Sequence, residues 1–504
     1  MEKTSFIVIC IWAVLLFTGC QDKNIETNTP ESKRPNFVLM MGDDHGWDEV
    51  GYHGHPFVKT PVLDEMAQQG LRLDRFYSGH PTCSPTRASF LTGRHPNRCG
   101  TFAPNWSIRP EEITIAQILK KAGYATAHFG KWHLGPVKID SPTSPGAMGF
   151  DEWLSHDNFF EMDPILSRNG APPEKIEGEG SQIIVEEAMQ FIQRAEEKDQ
   201  PFFVVIWYGS PHEPYSGLQK DLDIYDNLPT RFSIDSVALT SNETGNNVVR
   251  PLGEVLQERY AEITAMDRSI GEMRDFLKMK NLRDNTLVWY CGDNGTPASA
   301  ARTGMTLRGE KAMMYEGGIR VPCIIEWPSQ FRKGRISLVP SVTSDILPTL
   351  CALTNQPLPN RPLDGISLAP VFLDTLEKRD RPIYFWSFDT QKVFDNQALP
   401  YLDSALQEGT TPLVKMMDGK YTRSFKNLKY TMMSEGDFGG ARAMISNDFK
   451  LVADQSPMAT ELFDLRNDSG ETNNLSQAKP EVVENMEKQM YDWQASVLKS
   501  LMGD

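Results

Sequence analysis

Short apolar runs rich in β-branched and aromatic residues alternate along the chain with longer stretches of helical periodicity. Continuous apolar runs of about four to eight residues are typical of strands that are buried on both faces of a parallel sheet. The predicted strands are residues 36–41, 125–129, 202–208, 286–291 and 323–326, and the predicted helices are residues 60–69, 113–122, 180–196, 256–279 and 344–353. This alternation predicts an α/β fold with a large, mostly parallel sheet between two layers of helices.

A proline-rich stretch at residues 356–370 predicts the end of the main domain, which then covers residues 34–370. Residues 371–504 are predicted to form a smaller α+β subdomain. Its signals are strand-like runs at 441–445 and 450–453, a turn at 468–470 and an amphipathic segment at 480–501. We therefore expect a small antiparallel sheet with a closing helix.

The N-terminus has the pattern of a targeting segment. Lys3 precedes an apolar run at residues 6–17 that is too short to span a bilayer. The following Gly19-Cys20 junction resembles the lipobox of bacterial lipoproteins. Residues 1–19 are thus predicted to be a lipoprotein signal peptide and residues 20–33 a tether. The prediction is an exported protein held in the cell envelope, in the periplasm or at the outer membrane, by lipid on Cys20; an ordinary cleaved signal is the alternative.

The charge balance narrows the choice of partners. A net charge of -16 and a pI near 5.2 argue against a nucleic-acid surface, which needs clustered basic residues. All nine histidines lie between His45 and His212, so the chemistry is expected in the first half. Away from the N-terminus and the segment considered below, four cysteines could form two disulfides or remain as buried thiols: Cys99, Cys291, Cys323 and Cys351.

Reactive polar residues follow four of the predicted strands. They are Asp43 and Asp44, then Lys131 and His133, then His212, and finally Asp293 and Asn294. Sites in open parallel sheets form beyond the carboxyl ends of the strands, so these groups could converge. The carboxylate and amide oxygens suit calcium or magnesium better than zinc. Each motif alone could equally be a cap or a turn.

The segment from His80 to Gly93 predicts a short helix with Cys83 at its N-terminus, because Pro85 suits the first turn and Gly93 suits the end. Backbone N–H groups at such a terminus favour an anion, and Arg87, one turn inward, adds a fixed cation. A buried structural cysteine is the alternative.

This segment resembles the first signature of the formylglycine-dependent sulfatases of the alkaline phosphatase superfamily, Cys-x-Pro-x-Arg followed by two apolar residues, Thr and Gly. The second signature is matched at residues 123–135. Further resemblances lie at residues 34–37 before Asp43, at 291–295, at 308–311 and at 315–322, and weaker ones at 345–349 and 461–465. The resemblance covers nearly all of the chain after the predicted tether and implies an alkaline phosphatase-like fold and arylsulfatase-like activity.

The resemblance also implies roles for individual residues. A formylglycine-generating maturation enzyme would oxidise Cys83 to formylglycine (3-oxoalanine), whose hydrated aldehyde attacks sulfur and later expels sulfate. One Ca²⁺ would be held by Asp43, Asp44, Asp293, Asn294 and residue 83. Arg87 and Lys131 would neutralise this cluster, His133 would act as a base, and Lys311 and His212 would contact sulfate, with protonated His212 as the acid for the leaving alcohol.

The expected substrate is a sulfated polysaccharide or oligosaccharide. Five residues in predicted loops facing the site could grip sugar rings or pack structurally: Trp106, Trp153, His156, Asn158 and Phe159. Two other functions remain open at this point. The chain could be a phosphodiester or phosphonate monoester hydrolase of the same superfamily, or a non-catalytic protein that binds sulfated glycans.

Overall fold

The computed structural model describes residues 34–503 except 242–245, 301–302, 304–305, 332–333, 390–398, 414–421, 431–433, 435–438 and 455–459. The strands in chain order are β1 (Asn36–Gly42), β2 (Leu71–Leu73), β3 (Phe76–Tyr77), β4 (Ala125–Lys131), β5 (Glu152–His156), β6 (Ile165–Arg168), β7 (Glu174–Lys175), β8 (Phe202–Trp207), β9 (Ser236–Thr240), β10 (Asn247–Pro251), β11 (Thr286–Gly292), β12 (Cys323–Glu326), β13 (Arg335–Ser337), β14 (Ser341–Val342), β15 (Ile383–Trp386), β16 (Leu399–Pro400), β17 (Glu408–Pro412), β18 (Thr422–Ser424), β19 (Leu428–Lys429), β20 (Arg442–Ser446), β21 (Phe449–Ala453) and β22 (Glu461–Asp464). The α-helices are α1 (Pro61–Gln69), α2 (Cys83–Thr92), α3 (Ile115–Lys121), α4 (Gly180–Glu197), α5 (Gln219–Leu222), α6 (Leu252–Met279), α7 (Glu316–Ile319), α8 (Ile346–Leu353), α9 (Ala369–Phe372), α10 (Ser404–Gln407) and α11 (Pro480–Met502).

The large sheet has the strand order β13-β2-β12-β11-β1-β8-β4-β5-β6-β7. Its five central strands, from β11 to β5, run parallel. The flanking strands β12 and β6 run antiparallel to their central neighbours. The predicted α/β class with a mostly parallel sheet is confirmed, and the five predicted strands lie within two residues of the observed bounds.

Alternate residues of the central strands face two separate hydrophobic cores. Phe37, Leu39 and Met41 of β1 pack in the core that holds α2, α3 and α8. Val38 and Met40 of the same strand face the opposite core, with α1, α4 and α6. This two-residue period is the reason that strands buried on both faces read as continuous apolar runs.

The C-terminal region contains the predicted small antiparallel sheet, with the strand order β15-β20-β21-β22. Helix α11 closes it, since Met486 and Met490 pack on Met444 and Leu451 of the sheet. The chain from Arg34 onward clusters as one compact unit, while the predicted boundary near residue 370 stays a prediction. Strands β17 and β18 form a separate antiparallel pair, which has no counterpart among the predicted elements.

The structure contains buried thiols and not the alternative of two disulfides at four cysteines: Cys99, Cys291, Cys323 and Cys351. Within the described part of the chain, no helix combines the length and apolarity that crossing a bilayer requires. The predicted signal peptide and Cys20 lie outside the described residues.

Candidate active site

The strands β1 and β11 end side by side, and the residues that follow them form the floor of the site: Asp43, Asp44, Asp293 and Asn294. The parallel register of the two strands pairs Gly42 with Gly292, so the residues that follow both strands come together. The backbone N–H of Asp293 donates to Gly42 O at 3.0 Å, and that of Asp44 donates to the Asp293 carboxylate at 2.9 Å. Asp44 has a left-handed backbone with φ of 61°, which directs its side chain into the same cluster.

Three cations each pair with one carboxylate of this floor. Lys131 Nζ lies 2.6 Å from Asp43 Oδ2, Arg87 Nη2 lies 2.8 Å from Asp293 Oδ2, and Lys311 Nζ lies 2.6 Å from Asp44 Oδ1. Burial opposes ionisation of Asp43, yet the charges of Lys131, His212 and Arg87 hold its pKa below the usual range. Burial and the neighbouring Asp43 carboxylate raise the pKa of Asp293.

Two oxygens of this cluster are buried without a hydrogen-bond partner among the described residues: Asp43 Oδ1 and Asn294 Oδ1. The Asn294 amide nitrogen already donates to Asp44 at 2.8 Å, which leaves its oxygen available. Ligand atoms of Asp43, Cys83 and Asp293 lie within 4.8 Å of one another, as do those of Asp43, Asp44 and His212. These hard oxygen donors fit a divalent cation such as calcium, which would also relieve the repulsion between the carboxylates.

Cys83 is the first residue of α2 and follows the extended N-cap Thr82, as the sequence predicts. Gly93 ends the helix with φ of 69°, a left-handed conformation that favours glycine. The Cys83 side chain is 2% exposed. Its burial raises the pKa of the thiol, although Lys131 and Lys311 act in the opposite direction. An unmodified Cys83 is therefore a neutral thiol at neutral pH and a poor nucleophile.

His133 lies two residues after Lys131, where β4 ends. Its Nε2 lies 3.0 Å from Asn105 Oδ1, while its Nδ1 is buried without a hydrogen-bond partner among the described residues. Burial and the nearby Lys131 hold the pKa of His133 well below its usual range. The ring is thus neutral and can accept a proton.

His212 approaches the floor with Nε2 3.7 Å from Asp44 Oδ2. The ring stacks on Phe159, with centroids 4.8 Å apart and planes 13° apart. Burial lowers the pKa of His212 to about 4, although Asp44 acts to raise it. Burial thus favours the neutral imidazole in the free site, because removing the imidazolium from water costs more than the neighbouring carboxylate returns. Protonated His212 as the acid for the leaving alcohol stays a prediction.

Comparison with known proteins identifies the family to which this site belongs. The sulfatase family model matches residues 35–356. The chain is a sulfatase. It is 30% identical to human arylsulfatase A over 493 residues, which cover 90% of this chain and 86% of that protein. It is 31% identical to human N-acetylgalactosamine-6-sulfatase, covering 71% and 69% of the two chains.

A bacterial relative and the solved structures agree with this assignment. The ulvan-active sulfatase of Formosa agariphila is 33% identical, with 76% of this chain and 73% of that protein covered. Ps i-CgsB in complex with k-i-k-neocarrahexaose has the same fold, with a TM-score of 0.72 and 24% identity over 92% of this chain and 93% of that one. This sulfatase therefore has the alkaline phosphatase-like fold of its superfamily and is a sulfuric ester hydrolase.

The sulfatase site depends on Gly130, which directly precedes Lys131 in β4. Gly130 has φ of 101°, and a Cβ at this position would lie 2.0 Å from the backbone oxygen of Trp207. We expect Gly130→Ala to lower the free energy of unfolding by at least ~3 kcal/mol, because strain and a backbone clash act together. Denaturant unfolding measures this. Gly54→Ala is the matched control, with φ of 88° and open space around the added Cβ, and should cost only about 1 kcal/mol; equal losses would contradict the clash.

The aromatic and polar residues predicted in loops divide into two groups. Trp153 and His156 lie in strand β5, so their assignment to loops is wrong. The Trp153 indole donates to Val137 O at 3.2 Å and packs internally. Trp106 is buried in a cluster with C-terminal residues, and Asn158 is also buried. Phe159 is partly exposed and contacts the site through His212.

Two residues at the sulfatase site were missed from the sequence. Asn105 contacts His133, and Arg423 of β18 lies over the Phe159 ring, with Cζ 5.1 Å from its centroid. The dipeptide Pro104-Asn105 is a turn signal that could have drawn attention to Asn105. Arg423 has no such signal, because it reaches the site through contacts with residues more than 200 positions away.

Proposed function

We propose that this sulfatase removes a sulfate ester from a sulfated polysaccharide or oligosaccharide, using formylglycine made from Cys83 and one bound calcium ion. The observation that carries this proposal is the position of Cys83, which is buried at the start of α2 with its Sγ within 4.8 Å of carboxylate oxygens of Asp43 and Asp293. Three cations form ion pairs with the aspartates of this floor. The glycan substrate is supported by the relatives whose names specify N-acetylgalactosamine-6-sulfatase and ulvan-active sulfatase.

The ligands of the cation would be Asp43, Asp44, Asp293 and Asn294 together with residue 83. Formylglycine supplies a nucleophilic oxygen with a second hydroxyl on the same carbon, and calcium withdraws charge from the reacting oxygens. An ordinary thiol with a raised pKa supplies neither function, which supports conversion of Cys83 by a formylglycine-generating maturation enzyme.

The remaining side chains bind sulfate and move protons. Lys131 and Arg87 are fully buried and keep the carboxylates in place, whereas Lys311 retains 21% exposure and can reach an incoming sulfate. Neutral His133 accepts a proton from the hydroxyl at residue 83. The negative charge of bound sulfate raises the pKa of His212, so that it can take up a proton and donate it to the leaving alcohol.

Release of the alcohol, together with free sulfate or phosphate, from a panel of substrates tests the proposed function. The panel contains sulfated glycan fragments, an aryl sulfate, an aryl phosphate and a phosphodiester. We expect the sulfate esters to be turned over with a kcat/KM at least about 100-fold above the phosphate esters, because the floor has one predicted metal and a Cys83-derived nucleophile. Preferred turnover of the phosphodiester, or glycan binding without turnover of any ester, would contradict the proposal.

We also propose that the mature protein is exported and anchored in the bacterial cell envelope by lipid on Cys20. The support is the sequence of the N-terminal segment, with its short apolar run and Gly19-Cys20 junction. Mass spectrometry of the N-terminal peptide from the native host tests this. A soluble form that begins elsewhere and lacks lipid would contradict it.

A further inference from the structure

Arg423 is a partly buried cation without a carboxylate partner among the residues that the structure describes. It lies in the short strand β18, and no described carboxylate forms an ion pair with its guanidinium. Its Nε is buried and has no hydrogen-bond partner among the described residues. Burial lowers the pKa of Arg423 to about 10 despite the charge of Asp157, so the group is still protonated at neutral pH.

This lack of a partner distinguishes Arg423 from the three cations of the floor, each of which forms an ion pair with an aspartate. Removing a guanidinium from water without an adjacent anion costs free energy. The nearest candidate, Asp157, uses its carboxylate for the backbone N–H groups of Val137 and Thr411, at 2.9 and 2.7 Å. An anion that arrives with the substrate would therefore gain a strong contact.

Arg423 belongs to the rim of the site, by which we mean the partly exposed residues Asn105, Phe159, His212 and Arg423. Its Nη1 is 3.5 Å from Asn105 Oδ1, the same oxygen that contacts His133, and its Cζ lies over Phe159, which stacks on His212. Asn105, Phe159, His212 and Arg423 are partly exposed, whereas Cys83 and Arg87 are buried. The buried floor has cations for the reacting sulfate, so the rim faces the rest of the substrate.

The backbone around Arg423 is held from both sides. Lys426 N donates to Asn105 O at 2.9 Å, and Ser107 N donates to Lys426 O at the same distance. On the paired strand β17, the backbone N–H of Thr411 is bound by Asp157, which follows β5 by one residue. These contacts hold the backbone near Arg423, and the guanidinium itself contacts Asn105 and Phe159, so less conformational entropy is lost on binding.

We propose that Arg423, Asn105 and Phe159 form an anion subsite at the mouth of the site, which binds a second anionic group on the saccharide whose sulfate ester is cleaved. A carboxylate and a sulfate each present two oxygens on one atom, which a guanidinium can bind with two N–H groups at once. This inference rests on the proposed function and specifies its substrate as a saccharide with at least two anionic groups.

The test compares three saccharides that share one scissile sulfate: a monosulfate without any other charged group, its analogue with a neighbouring carboxylate, and its analogue with a second sulfate. For wild type we expect kcat/KM on at least one dianionic substrate to exceed that on the monoanionic one at least tenfold. Arg423→Gln should remove this preference, mainly through KM, and Arg423→Lys should restore part of it. The substrate that loses most identifies the carboxylate or the sulfate as the bound group.

Arg231→Gln is the matched control, because Arg231 also lies over a phenylalanine ring, at 4.7 Å from Phe232, and is exposed. It should leave the preference unchanged. If Arg423→Gln lowers kcat/KM equally on the monoanionic and the dianionic substrates, Arg423 contacts the scissile sulfate, and the proposed subsite is overturned. Wild type without a preference, or Arg423→Gln without a loss, would also overturn it.

Failure of the proposed function has a different result, namely no sulfate release from any ester, including an aryl sulfate. Should Arg423→Gln not fold, inhibition of wild-type aryl sulfate turnover decides the question. At least one of two anionic sugars, a sulfate-free uronate or a sugar sulfate that the enzyme does not cleave, should then inhibit at a concentration at least about tenfold lower than the corresponding neutral sugar. Equal inhibition by all three sugars would overturn the subsite.

Discussion

Replacement of Cys83 by alanine should abolish sulfate release, with a loss in kcat/KM of at least ~10⁴-fold, because the proposed nucleophile and one ligand of the cation disappear together. Cys83→Ser should also stop turnover, but through a different state. A serine that attacks sulfur has no second hydroxyl on its Cβ. It cannot form an aldehyde and expel sulfate, so it should accumulate as a serine sulfate ester. Peptide mass spectrometry after incubation with an aryl sulfate separates the two variants.

The wild-type protein supplies the complementary measurement. Active material from a host with the maturation enzyme should contain an aldehyde in place of the thiol at residue 83. Cys351→Ala is a control, since Cys351 is a buried thiol in α8 without a contact to the floor, and should retain turnover. Full activity of a preparation in which Cys83 remains an unmodified thiol would disprove the mechanism.

The floor of the site could be predicted because its residues directly follow strands with a strong sequence signal. Residues 36–42 and 286–292 are buried throughout, so each strand is a continuous apolar run that ends where polar residues begin. Parallel pairing of the two strands then places Asp43 beside Asp293. In such a sheet, knowing where two strands end is enough to predict which side chains meet.

The rim could not be predicted in the same way. Strand β18 has three residues and β17 has five, which is too few to show a reliable hydrophobic period. Their positions depend on contacts between residues that are far apart in the sequence. Arg423 contacts Asn105 across 318 residues, and Thr411 contacts Asp157 across 254. Strand β5 was missed for a related reason, because Trp153 and Leu154 lie between polar residues that resemble a loop.

The protonation of His212 shows a further limit of motif-based assignment. Resemblance to the family assigned an acid to this position, but the pKa of about 4 depends on how much water the fold removes from the ring. Burial by Phe159 and the adjacent backbone is a tertiary property that spacing along the chain does not record. The acid role of His212 stays a prediction, and we expect it to depend on the negative charge that the substrate brings.

Removal of calcium should abolish turnover, and calcium should restore it, because the buried carboxylates need a cation to bring sulfate and the nucleophile together. At a calcium concentration of about 100 times Kd, binding should stabilise the wild-type fold by ~2.7 kcal/mol. Asp293→Asn keeps the size of the side chain and an acceptor for Arg87 but removes one ligand charge. It should raise the calcium concentration for half-maximal stabilisation at least ~100-fold, as measured by thermal unfolding at increasing calcium.

The control for this substitution is Asp468→Asn, which changes an exposed carboxylate that binds the backbone of Thr472 and Asn473 in a turn. Its calcium response should equal that of wild type. Recovery of the chelated enzyme by zinc alone would contradict the oxygen-ligand assignment, since zinc favours nitrogen and sulfur donors. An unchanged calcium response in Asp293→Asn would show that the cation does not bind at the floor. Asp293 contacts both Arg87 and the backbone N–H of Asp44, so a cation bound at the floor would contact its carboxylate.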